Sequence, residues 1–348
     1  MLGPADFALA GLVPGLVALA VRATVLRAPA GDRVAWPVAV AAGVVAGWWG
    51  LEAQGGAASI GEWFGRLPGV AKLALSPAVA NHWLPSAVIV AAVVGVLAGR
   101  CRVAATLAAL IGVTLAVAIP VRLLWGSVYL LSEWTRGEAI ARLGALGVAI
   151  ALGGWLLTRR SAGSPSEERG ASGTVRAVLL AVTAFGLAIV LATSGSLSYA
   201  RLAGVLVAAI SGATLGGVGV APLRRVGGGV EHAGPVIAAS ASVLLVLGAF
   251  FAEVTPTHAV LLAAAFVAAG TARVGRSHAE APAAAQGGSD GAAAIEGPAT
   301  APAWRGVALR AVLCIVPLAV AATQSGVEFA RAIAQPADNP YANWQPPE

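Results

Sequence analysis

The chain has 348 residues, of which 58% are hydrophobic and only 11% charged. Soluble domains carry about 25% charged residues, so this balance excludes an ordinary soluble enzyme and points to the bilayer. The net charge is +6, yet no basic run exceeds two residues, so a nucleic-acid partner is not expected.

Met1 to Ala10 lacks the positive start of a secretory signal, and the first arginine, Arg22, follows the apolar run. That run is therefore read as a retained helix. A span needs about 20 mostly apolar residues to cross about 30 Å of hydrocarbon. Runs of this kind occupy 6–26, 34–51, 84–99, 103–124, 138–157, 174–193, 199–221, 235–252, 257–272 and 305–324. The expected fold is an all-α, polytopic integral membrane helix bundle of about ten transmembrane helices. The third span is short, because Pro85 leaves only 86–99 unbroken. Ser76-Pro77 offers it an earlier start, with a kink at Pro85. The eighth and ninth spans are also short, and Glu253-Val-Thr-Pro256-Thr forms the tight turn between them.

The spans divide five and five. Residues 1–157 hold the first set, with an outer loop at 52–83, and 174–324 hold the second. Within the outer loop, Ile60 to Leu75 reads as a short amphipathic helix lying on the surface. Residues 158–173 and the low-complexity stretch 273–304 read as cytoplasmic linkers, and 325–348 as an outer, unstructured tail. The two halves share only their Ala/Gly/Val content, so the division carries no sign of duplication.

Basic residues test this count. With the N-terminus outside, fifteen of the 22 lysines and arginines fall in inner loops or adjoining helix ends. The positive-inside rule then places both termini outside, in a multi-pass protein of the cell (inner) membrane. All ten tryptophans lie at or beyond span ends, as interfacial anchors do.

Residues 119–144 are the stretch where charge meets apolar sequence. Arg122, Glu133, Glu138 and Arg142 form a candidate polar site, flanked by Trp125 and Trp134, with His82 reaching in from the outer loop. Charges at membrane depth are expensive and normally paired. Arg122 is therefore expected to pair with Glu133 or Glu138, and Arg142 with Glu138 at i+4 spacing. The plainer alternative is a water-facing turn whose long side chains snorkel.

Other motifs carry less. Gly204, Ala208, Gly212 and Gly216 form a small-residue stripe suited to close helix packing. Pro14 and Pro317 mark kinks within spans. Ser194, Ser196, Ser198 and His258 share one face of the membrane, but the Gly-x-Ser-Gly context of a serine intramembrane protease is absent. Gly227-Gly-Gly-Val-Glu-His lacks the Gly-Lys-Ser/Thr ending of a phosphate-binding loop. Cys101 and Cys314 have no metal-ligand spacing and are expected as reduced thiols. No His pair has ligand spacing, so neither metal nor cofactor is expected. No carboxylate sits at the centre of a span, which argues against ion-coupled transport.

Three functions remain: passage of a small or lipidic solute, a non-catalytic membrane subunit or assembly factor, and an enzyme acting at the outer face. The first and second are favoured over the enzyme. The expected partners are the lipid bilayer and other membrane subunits. A polar, water-filled cavity would favour transport, and a dry bundle with an exposed apolar groove a subunit. Glu133, Glu138 and His82 converging over an outer pocket would favour an enzyme.

Overall fold

The computed structural model describes residues 8–27, 31–54, 60–75, 79–98, 102–158, 166–218, 230–271 and 304–334. Among them the chain is all helix, with no strand. The α-helices are α1 (Val13–Val25), α2 (Gly31–Gln54), α3 (Ile60–Leu75), α4 (Trp83–Leu97), α5 (Arg102–Leu124) and α6 (Arg136–Thr158). They continue as α7 (Ser166–Thr193), α8 (Leu197–Val218), α9 (Gly234–Phe251), α10 (Pro256–Gly270) and α11 (Trp304–Ala334). Nine of the described helices are long and apolar enough to cross a membrane, while α10, at 15 residues, is apolar but shorter.

Prolines shape the helix starts. Pro14 stands in the first turn of α1, behind a π-helical turn over Ala8–Leu12. A proline has no N–H for the i−4 carbonyl, so the regular ladder begins at Pro14 rather than running through it. Pro85 falls in the first turn of α4, where its missing donor costs nothing, behind a 3₁₀ turn at Ala80–His82. The apolar segment therefore runs from Ala80 to Leu97, starting before the expected Leu84. Thr255 caps α10, its hydroxyl accepting from the His258 N–H at 3.4 Å, with Pro256 following.

The tightest packing joins α1, α2 and α8. The stripe on α8 faces α1: a Cβ on Gly212 would run into the Gly15 backbone, and one on Gly216 would lie 2.6 Å from the Leu19 carbonyl. From α2, a Cβ on Gly43 would lie 2.8 Å from the Pro14 carbonyl. Here backbones touch backbones, as small residues allow. On the other side, α9 is apolar all round and buried from Val236 to Leu247 except at Ser242 and Leu245, which marks it as a core helix. Helix α3 lies against α2 and α4, burying Val70 and exposing Glu62, Arg66 and Lys72.

Contacts sort the helix ends into two sets. At one end, the Glu52 end, Asn81 bonds Glu52, Arg122 lies over Trp83, Tyr129 bonds the Phe250 carbonyl and His258 faces Gln324. At the other, the Arg22 end, Arg22 bonds the Ala213 carbonyl and Arg176 the Leu157 carbonyl. Cβ atoms on Gly234 and Gly270 would both meet Leu157 there. Short as it is, α10 thus reaches from the Glu52 end to the Arg22 end.

Two helices run beyond the spans read from the sequence. Helix α7 begins at Ser166, inside the linker expected over 158–173, and α11 continues to Ala334, ten residues into the expected tail. The extensions add about two and three turns to already stabilised helices, for which propagation is favourable once the nucleus exists. Cys101, the stretch 273–303 and the tail from 335 lie outside the described residues.

Candidate functional site

At the Glu52 end, the last turns of α2 present Trp48 and Glu52, the 3₁₀ turn presents Asn81 and His82, and α4 opens with Trp83. The Glu52 carboxylate accepts from Asn81 Nδ2 at 2.7 Å and stands 3.7 Å from His82 Nε2. The His82 ring meets Trp48 edge to face, centroids 5.9 Å apart. His82 is only 7% exposed and Trp48 1%. This carboxylate–imidazole–amide cluster ties the end of α2 to the start of α4. A catalytic base needs a path to its substrate, and His82 is closed over by its own neighbours. Its Nδ1 and the Trp48 Nε1 are buried without a hydrogen bond to protein.

Arg122, in the last turn of α5, is exposed and lies with its guanidinium carbon 5.2 Å above the Trp83 ring. Among the described residues no ion pair joins it to Glu133 or Glu138. The π-face of Trp83 holds it instead.

Glu138 and Arg142 do meet, at 3.9 Å, half a side chain each in solvent. The stronger bonds of Glu138 are local. Its Oε2 accepts from the Thr135 N–H and hydroxyl, both at 3.0 Å, while the Glu138 N–H points at Thr135 Oγ at 3.4 Å. Thr135-Arg-Gly-Glu138 is a capping box for α6, a signature legible in the sequence but not read there. Arg142 also lies 4.9 Å over Trp134, which packs with Tyr129 and Phe250 in an aromatic cluster. Glu133 ends the π-turn Tyr129–Glu133 and is exposed. The five candidate residues thus separate: His82 and Arg122 on the α2–α4–α5 seam, Glu138 and Arg142 on the first turns of α6, and Glu133 between.

The most enclosed charge is one the sequence reading placed merely at a helix end. Arg22 is 1% exposed, its guanidinium 4.0 Å from the Trp36 ring and donating to the Ala213 and Thr214 carbonyls of α8. Gly217 leaves it room, since a Cβ there would stand 2.8 Å from the guanidinium carbon. A cation against carbonyls of the last turns of α8 also complements the helix dipole. Trp36 lies on the next helix, so no sequence spacing announces the stack.

Ser194 donates to its own helix, to the Leu191 carbonyl at 3.0 Å, while His258 Nε2 faces Gln324 at 3.2 Å. Serine and histidine are thus each engaged elsewhere. Among the described residues no three His, Cys, Asp or Glu side chains gather as a metal site.

Two cavities stand out, and both are apolar. One, about 270 Å³, lies between α4, α5, α6 and α9; the other, about 530 Å³, lies between α2 and α4, lined by Val, Ala, Ile and Leu. Neither contains a charged side chain. Compared with protein-family models, with curated proteins and with solved structures, the chain matches no family, no relative and no fold neighbour.

Proposed function

We propose that this chain is a multi-pass protein of the cell membrane with ten crossings, acting as a non-catalytic subunit or assembly factor. The membrane reading rests on its belt of exposed apolar side chains. Ile140 and Val148 on α6, Leu110 on α5 and Val260 on α10 are each more than 60% exposed. Apolar surface on this scale is a liability in water and ordinary in lipid. Arginines gathered in alternate loops set the orientation, with both termini outside.

The subunit reading is carried by the character of the interior. The α1–α2–α8 core is closed by backbone contact, and both cavities are lined mainly by apolar side chains and border helices of the exposed belt. Such a bundle offers partners an apolar flank rather than an aqueous path. Carbonate washing of native membranes, followed by solubilisation in mild detergent and native electrophoresis, tests it. The chain should resist carbonate washing and migrate in an assembly larger than its monomer. A lone monomer that moves a solute across reconstituted vesicles would reverse the reading in favour of transport.

A further inference from the structure

We propose that the connection between α5 and α6, residues 125–134, is sunk in the lipid leaflet at the Glu52 end, with Trp125, Val128 and Leu131 against acyl chains. This rests on the membrane reading above. Each of the three side chains is more than 60% exposed. The opposite side of the connection is held by the bundle. Tyr129 and Trp134 pack on Phe250, and the Tyr129 hydroxyl donates to the Phe250 carbonyl at 3.4 Å. That anchored side fixes which residues point outward.

Other connections at this end are built the other way round. Between α9 and α10, Glu253 is exposed while Ala252 and Val254 are buried. Between α7 and α8 stand Ser194, Gly195 and Ser196. Small or polar residues are what a water-facing turn presents. Between α5 and α6 the polarity is inverted, with the hydroxyl turned in and indole and aliphatic side chains turned out.

The main chain suits the same setting. Hydrocarbon offers no hydrogen bonds, so backbone groups within it must bond to one another. The N–H groups of Ser127, Leu130, Leu131 and Trp134 donate to the carbonyls of Leu124, Ser127 and Tyr129 at 2.9–3.2 Å. The Ser132 hydroxyl donates to the Val128 carbonyl at 3.1 Å. Gly126, at φ +76°, supplies the left-handed residue that follows α5. Depth follows from the charges. Exposed Arg122, Glu133 and Arg136 flank the three apolar side chains, and long charged side chains keep their heads among the headgroups. The connection therefore lies about 5–10 Å into the leaflet, where amphipathic segments rest, rather than at the bilayer centre.

The same features select lipid over a partner's helix. Membrane helices recognise one another through small residues and interhelical hydrogen bonds. Here the outward side chains are large, and the bonds just named are spent within the chain.

The test uses the full chain carrying Leu131→Cys or, for comparison, Glu253→Cys, each with Cys101→Ser, since Cys314 is buried. Both are reconstituted in dioleoylphosphatidylcholine vesicles. Only a thiolate reacts with maleimide, and hydrocarbon disfavours the charged form. A water-soluble maleimide should therefore react at least about tenfold more slowly at Leu131→Cys than at Glu253→Cys. A nitrobenzoxadiazole dye attached at Leu131→Cys before reconstitution should lose fluorescence when the vesicles contain acyl-brominated phosphatidylcholine, whereas one at Glu253→Cys should not. Val128→Cys, made in parallel, should match Leu131→Cys and guards against a variant that does not fold. Equal reaction rates would overturn the proposal in favour of a water-facing turn. Slow reaction without quenching would overturn it in favour of a covering protein surface, a second copy included. Carbonate washing keeps the two readings apart. Release of the unaltered chain would end the membrane reading, whereas a retained chain with fast reaction at Leu131→Cys would end only the lipid contact of this turn.

Discussion

Arg22 is the residue whose surroundings say most about this molecule. It is a cation enclosed between an indole and two main-chain carbonyls, so its removal empties a filled site and strips carbonyls of a donor. Arg22→Ala should destabilise the purified protein by about 2–5 kcal/mol, the range for emptying a core position. Arg22→Lys should recover only part, since an ammonium neither stacks as a plane nor donates as a fork. A thermal melt in which the lysine variant equals the unaltered chain would refute the stacked geometry. Arg122 makes the opposite case. The sequence suggested a sheltered ion pair, whose breaking would cost about 3–5 kcal/mol. Exposed over Trp83, it has a cation–π contact worth about 0.5–1 kcal/mol. Arg122→Ala should therefore lower stability by less than about 1 kcal/mol, and a larger loss in the same melt would point to a partner other than Trp83.

At the scale of elements, the small-residue stripe of α8 has consequences that differ along its length. A Cβ on Gly212 would enter the Gly15 backbone, whereas one on Gly204 would rest 3.8 Å from the Ala10 carbonyl, an ordinary contact. Gly212→Ala should cost about 1–3 kcal/mol by forcing α1 and α8 apart, and Gly204→Ala should be neutral or slightly stabilising because alanine favours the helix. Equal effects of the two on the melting temperature would contradict the observed register. That stripe was legible in the sequence because its spacing is helical, and so were the apolar runs and the surface helix over Ile60 to Leu75. What could not be read were contacts between elements. Glu52 and His82 are separated by a whole surface helix, and Arg22 and Ala213 by most of the bundle, so no local pattern joins them. Glu138 shows a different failure. Its i+4 spacing to Arg142 suggests an ion pair, while the bonds back to Thr135 that cap α6 take the carboxylate.

For the whole molecule, parity decides the topology, and parity turns on α10. Nine of the described helices meet the length of a span, and an odd number of crossings would leave the two termini on opposite sides of the membrane. Helix α10 has 15 residues, about 22 Å at 1.5 Å per residue, against about 30 Å of hydrocarbon. Yet it starts beside Gln324 at the Glu52 end, and its last residue, Gly270, abuts Leu157 near the close of α6 at the Arg22 end. Its neighbours α7 and α11 shield much of it from lipid, burying His258, Leu262, Ala265, Phe266 and Ala269, so a short helix can cross where protein lines the path. On the proposed topology, ten crossings would return the chain to the side where it began, as the arginines gathered in alternate loops require. Alkaline phosphatase, active only outside the cytoplasm, should then be active when fused after residue 253, inactive after 290 and active again after 335. Activity after 290 together with inactivity after 335 would mean that α10 turns back within the membrane and that the termini face opposite sides.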